Sequence, residues 1–115
     1  MKGRKIMEVL TAKYEYSDDT LKITLSGEID HHSAKAVREE IDREIYRICA
    51  PNVVLDLSKV SFMDSSGLGL VLGRYTHTIE ANGILTVLDP SPNAERVLKI
   101  AGVEKIIPIV FTKKQ

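Results

Sequence analysis

Residues 61–69, Ser-Phe-Met-Asp-Ser-Ser-Gly-Leu-Gly, hold two adjacent hydroxyls between a carboxylate and a glycine. They lie where an apolar strand, Val53 to Leu57, gives way to an amphipathic helix. Three chemistries suit Ser65 and Ser66 there. The plainest is helix capping, because serine is a leading N-cap residue worth ~1 kcal/mol. The second is phosphoacceptance, since an anion at a helix N-terminus meets the positive end of the dipole and backbone N–H groups. The third is nucleophilic attack, with Asp30-His31-His32 supplying a base and its orienting acid. That hydrolase reading lacks a Gly-x-Ser-x-Gly elbow and an evident oxyanion loop.

The same Asp-His-His run invites a metal. Adjacent histidines at a helix start diverge, however, and His77 lies well along the next helix. No cysteine or Glu-x-x-His partner completes a ligand set, so no metal is expected. Gly67, Gly69 and Gly73 are spaced G-x-G-x-x-x-G, one residue off the dinucleotide fingerprint, with apolar residues between. They predict a tight turn and close helix packing, and no cofactor.

The elements that must position these residues follow from periodicity. Met7 to Tyr16 reads as a first strand, ended by the turn residues Ser17-Asp18-Asp19. Leu21, Ile23 and Leu25 alternate with polar residues as a half-buried second strand, closed by Gly27. Ala34, Val37, Ile41, Ile45 and Ile48 share one helical face, and Pro51 stops that helix. Cys49 is expected as a small core residue. Val53 to Leu57 reads as a buried parallel strand, and Asp56 should oppose Leu55 and Leu57. A loop, Ser58 to Ser66, follows.

Leu68, Val71, Leu72, Tyr75 and Ile79 form the next helical stripe, ended by Asn82-Gly83. Ile84 to Leu88 is a strand. A helix capped by Ser91-Pro92 buries Val97, Leu98 and Ala101, and Ile106 to Val110 adds an edge strand. The alternation predicts an α/β fold: a mostly parallel sheet with an N-terminal strand pair and right-handed βα crossovers. Loops at the carboxyl ends of the strands should share one edge, bringing Asp30, His31 and His32 near Ser65.

Composition narrows the classes. The 115 residues suit a single domain spanning 1–115. Sixteen basic residues balance sixteen acidic ones, which argues against a nucleic-acid partner. The single cysteine suits a reducing compartment, and no apolar run reaches the ~20 residues of a membrane span, so a cytoplasmic location without membrane contact is expected.

Gly27-Glu-Ile-Asp-His-His32, Val53-Val-Leu-Asp-Leu57, Ser61 to Gly69 and Leu72-Gly-Arg-Tyr75 resemble the bacterial anti-sigma factor antagonists of the STAS domain family. The first and last pieces resemble the sporulation branch, of SpoIIAA type, more than the general-stress branch. The likeness covers roughly residues 7–111. It implies a non-enzymatic regulator that binds an anti-sigma factor serine kinase and so frees the sigma factor. It also implies phosphorylation of the serine directly after the motif's aspartate, here Ser65, reversed by a PP2C-type phosphatase. Asp30, His31, His32, Asp64, Ser66, Gly67, Leu68, Gly69 and Arg74 are then expected at the partner surface. The alternatives are a general-stress-type antagonist or a small-molecule or nucleotide-sensing STAS module.

Overall fold

The computed structural model describes residues 9–112. Its elements are β1 (Thr11–Ser17), β2 (Thr20–Ile29), α1 (His31–Ile48), β3 (Asn52–Met63), α2 (Ser66–Glu80), β4 (Ile84–Leu88), α3 (Pro92–Ile100), a 3₁₀ turn (Val103–Lys105) and β5 (Ile109–Val110). The five strands lie in chain order. β1 and β2 are antiparallel, and every later pairing is parallel. Asp18 and Asp19, at φ 52° and 61°, make the two-residue turn of the first hairpin.

β1 starts at Thr11, later than the expected Met7, and Met7 and Glu8 lie outside the described residues. Gly27 does not end β2. With φ at 112°, it carries the strand through a register shift and on to Ile29. A side chain there would sit 2.5 Å from the Val9 carbonyl oxygen. β2 alternates as its sequence demands: Leu21, Ile23, Leu25 and Ile29 are fully buried, Gly27 is buried in the same row, and Lys22, Thr24, Ser26 and Glu28 are half-exposed.

α1 buries Ala34, Val37, Ile41 and Ile45, the predicted face. It ends at Cys49 in a left-handed turn, which leaves that cysteine exposed at the surface and out of the core. α2 buries a different stripe from the expected one. Gly67, Leu70, Val71, Arg74 and Thr78 face inward, Leu68, Leu72 and Tyr75 are half-buried, and Ile79 is exposed. The stripe is rotated because Arg74 packs toward α1, where Asp42 accepts its charge at 2.8 Å. α3 buries Ala94 and Leu98, with Val97 half-buried and Ala101 exposed. β5 is only two residues long, because Pro108 offers no N–H and serves the ladder through its carbonyl, which accepts from the Val87 N–H.

β3 is the largest departure. It runs for 12 residues to Met63, so most of the expected Ser58–Ser66 loop is strand. Beyond Asp56, where pairing with β4 stops, β3 is held on one side by β2, from Ser26↔Lys59 to Ile29↔Met63. The entrance to α3 supplies bonds that β4 would otherwise make. Asn93 Oδ1 accepts from the Met63 N–H at 2.6 Å, and the Leu57 carbonyl accepts from the Ser91 N–H. Asp56 pins the irregularity: its carboxylate accepts from the Ser58 N–H at 2.9 Å and lies 3.6 Å from Lys22 Nζ.

Candidate functional site

β2 and β3 finish side by side at Ile29↔Met63, and each is followed by an aspartate. The Asp64 N–H donates to the Ile29 carbonyl, tying the two ends together. Asp30 then caps α1: its Oδ1 accepts from the Ser33 N–H at 2.9 Å, and Ser33 Oγ accepts from the Asp30 N–H at the same distance. Asp64 does the matching work for α2, accepting from the Ser66 N–H at 2.8 Å.

That arrangement decides what Ser65 is free to do. Ser65 is exposed, has helical angles (φ −65°, ψ −16°) and makes no side-chain capping bond. Its neighbour Asp64 has taken the cap, so the hydroxyl is uncommitted. The first amides of α2 are not free, however. Ser66 donates to the Asp64 side chain, Gly67 to the Asp64 carbonyl and Leu68 to the Ser65 carbonyl. The expectation that a phosphate would find unoccupied N–H groups here is therefore corrected.

The expected site residues fall into three settings. His31 and His32 are both exposed, their rings 5.8 Å apart and at a steep angle. They diverge: His31 faces the crease between α1 and α2, while His32 lines a hollow with Glu28, Asp30 and Glu40. Gly67 is buried beneath Met63, and a β-carbon there would lie 2.2 Å from Met63 Cγ. Gly69 is exposed, with open space where its side chain would be. Ser66 and Leu68 are half-buried. Arg74, expected at a partner surface, is instead 4% exposed and ion-paired with Asp42, because a guanidinium this deep needs a carboxylate partner.

Two further corrections concern the strand edge. The Asp89-Pro90-Ser91-Pro92 loop is not level with Ser65. β2 and β3 outrun β4, so this loop abuts Leu57 and forms a separate hollow with Ser58, Glu95 and Phe111. Sequence reasoning also missed Phe62. It is 45% exposed one residue before the end of β3, in register with Glu28. Alternation was no guide to it, because past Ser58 the strand buries every third residue, Val60 and Met63 after Leu57.

The glycines give a stability test. Gly67→Ala should lower unfolding free energy by about 1–3 kcal/mol through overpacking on Met63. Gly69→Ala and Gly73→Ala meet nothing within 4 Å and should each add about 0.5–1 kcal/mol, read by urea denaturation. Asp30 gives a pH test. The Ser33 N–H, above all, holds its carboxyl below the ordinary value of 3.8. A carboxyl with a depressed folded pKa stabilises fully above its unfolded value and loses that contribution as pH falls through the folded one. The difference in melting temperature between wild type and Asp30→Ala should therefore be present at neutral pH and close in acid below 3.8.

The mostly parallel five-stranded sheet is shared with known relatives. The STAS domain family matches residues 11–115, and the chain belongs to that family. It is 41% identical over 100 residues to the anti-sigma F factor antagonist of Paenibacillus polymyxa, covering 87% of this chain and 86% of that protein. Among solved structures, unphosphorylated SpoIIAA superposes with a TM-score of 0.75 at 30% identity, covering 90% of each chain. Phosphorylated SpoIIAA from Bacillus superposes at 0.69, also at 30% identity, over 90% of this chain and 93% of that one.

Proposed function

We propose that this chain is an anti-sigma factor antagonist of the sporulation type, acting as one cytoplasmic STAS domain and not as an enzyme. In its unmodified form it binds an anti-sigma factor serine kinase and so releases the sigma factor. Phosphorylation of Ser65 switches it off, and a PP2C-type phosphatase restores it. The observation that carries this reading is the exposed, uncommitted Ser65 hydroxyl beside a cap supplied by Asp64. Relatives named as anti-sigma factor antagonists, and a structural relative known in both phosphorylation states, support it.

The contact surface in this reading comprises Asp30, His31, His32, Asp64, Ser66, Leu68 and Gly69, joined by Phe62, while Gly67, expected there, is buried under Met63 and supports it from within. Because the first α2 amides already have acceptors, a phosphate on Ser65 is not folded into the helix end. It stands out where the partner docks, next to the charges of Asp30 and Asp64, and acts by repulsion with no need for refolding. The Asp30 carboxylate is bonded to the Ser33 amide, which leaves it poorly placed to orient a histidine for hydrolysis. Incubation with the host's anti-sigma factor kinase and ATP should label Ser65. A phosphate mapped to Ser66, or to any other residue, would overturn the assignment.

A further inference from the structure

A groove of about 430 Å³ runs between α1 and α2, starting at Ser66, the residue after the phosphoacceptor Ser65. Its α1 wall carries His31, Lys35 and Arg38, spaced i, i+4, i+7 on one helical face. Its α2 wall carries Ser66, Gly69 and Gly73, and at both glycines a β-carbon would meet nothing within 4 Å. The α1 wall thus carries the exposed cations, while the α2 wall, completed by the buried Leu70 and Arg74, is open at its two glycines.

The charges are not balanced from within. Lys35 and Arg38 are exposed and make no ion pair among the described residues. Arg74 also lines the groove and is 4% exposed. Its Nε lies 2.8 Å from Asp42 Oδ1, angled as an ion pair more than a hydrogen bond, and its Nη2 donates to Asp42 Oδ2 at 3.3 Å. Its Nη1 is buried without an acceptor. Burial first, opposed by Asp42 and reinforced by the nearby Arg38 cation, draws the Arg74 pKa below its ordinary value. Asp42 thus pairs with Arg74 and not with the neighbouring Arg38.

We propose that this groove receives an acidic segment of the anti-sigma partner, whose carboxylates pair with Lys35 and Arg38 while its backbone passes over Gly69 and Gly73. The inference rests on the partner-switching reading and adds a second, cationic contact to it. The acidic mouth formed by Asp30 and Asp64 and the basic groove behind it would then fix the direction in which the partner lies. Phosphorylation at the mouth leaves the groove intact, so the groove gives affinity and register while Ser65 gives control.

The test measures affinity of the full chain for the host's anti-sigma factor kinase at 0.1 and 0.5 M salt. Lys35→Glu/Arg38→Glu should bind about tenfold or more weakly at the lower salt, and the deficit should shrink at the higher. Gly69→Leu/Gly73→Leu should also weaken binding, by occupying the groove without changing charge. The distant charge-matched pair Arg96→Glu/Lys105→Glu should stay within about twofold of wild type. If the unmodified chain binds and Ser65→Asp releases it, but both groove doubles bind as wild type, the groove proposal fails and the switch survives. Equal loss from the distant pair would also overturn it, by showing only a net-charge effect. Saturable shifts of the Gly69 and Gly73 amide resonances with inorganic phosphate, with partner affinity unaffected by the groove doubles, would assign the groove to a free anion instead. If unmodified protein does not bind the kinase at all, both readings fall.

Discussion

Ser65→Asp should bind the anti-sigma factor kinase about tenfold more weakly than wild type, the phosphorylated chain about fiftyfold more weakly, and Ser65→Ala as tightly as wild type. The ranking follows from charge. A phosphate adds about −1.5 to −2 charges at neutral pH, and an aspartate adds one. Against a partner carboxylate ~6 Å away, at an effective dielectric of ~20, these correspond to roughly 5 and roughly 3 kcal/mol before screening. Salt removes roughly half, and each remaining ~1.4 kcal/mol is a factor of ten. The helix end itself does little to absorb the new charge: the amides of Ser66, Gly67 and Leu68 have acceptors, and Asp64 precedes the serine. Titration calorimetry of the three forms at two salt concentrations checks this. Equal affinities for Ser65→Ala and Ser65→Asp would remove the charge switch. A Ser65→Lys variant that loses as much as Ser65→Asp would show that bulk, not charge, drives release.

The second large effect is on stability and lies away from the switch. Asp42→Ala should cost about 3–5 kcal/mol, because it strands the Arg74 guanidinium between α1 and α2 with no counter-charge. Asp42 also reaches His77 Nε2 at 3.5 Å, and His77 Nδ1 lies 2.7 Å from the Tyr46 hydroxyl, which donates to Glu80 Oε1. These links form a polar seam joining the two helices. The double variant Asp42→Ala/Arg74→Met should recover most of the loss, since an apolar chain of similar length needs no partner in that space. Urea denaturation at neutral pH reads both. A cost under about 1 kcal/mol for Asp42→Ala would mean that water or relaxation already satisfies Arg74.

How far the fold was legible depended on whether local periodicity and tertiary burial agreed. In β2 and α1 they do. Each packs one face on the core, so alternation in Leu21, Ile23 and Leu25, and 3.6-periodicity in Ala34, Val37, Ile41 and Ile45, report burial directly. In α2 they diverge. Its inward face includes Arg74 and Thr78, which hydrophobicity reads as surface, while Ile79 lies outside. Only the presence of Asp42 on another helix makes an inward arginine tolerable, and no local pattern carries that information.

β3 shows the same limit. Ser58-Lys59 looks like the start of a loop, yet the strand continues because β2 also continues, through Gly27, and because Asn93 of α3 serves the Met63 amide. The site was half legible for the same reason. Residue types placed a hydroxyl at a helix mouth and carboxylates near it. Whether Ser65 was spent as the cap was undecided, because Asp64, Ser65 and Ser66 are all capable cap residues.

Composition and period alone thus determined the α/β class and the strand and helix order, and the residues of four short motifs carried the family likeness and the serine, since each is written in short-range pattern. Tertiary structure decided the rest: which aspartate caps α2, how far β3 extends, which face of α2 is buried, and that Lys35, Arg38 and Arg74 line one groove. The α2 cap is settled by which of several adjacent candidates takes the Ser66 amide, and the others by partners that folding brings together from distant parts of the chain: Ile29 to Met63, Asp42 to Arg74 and Met63 to Asn93.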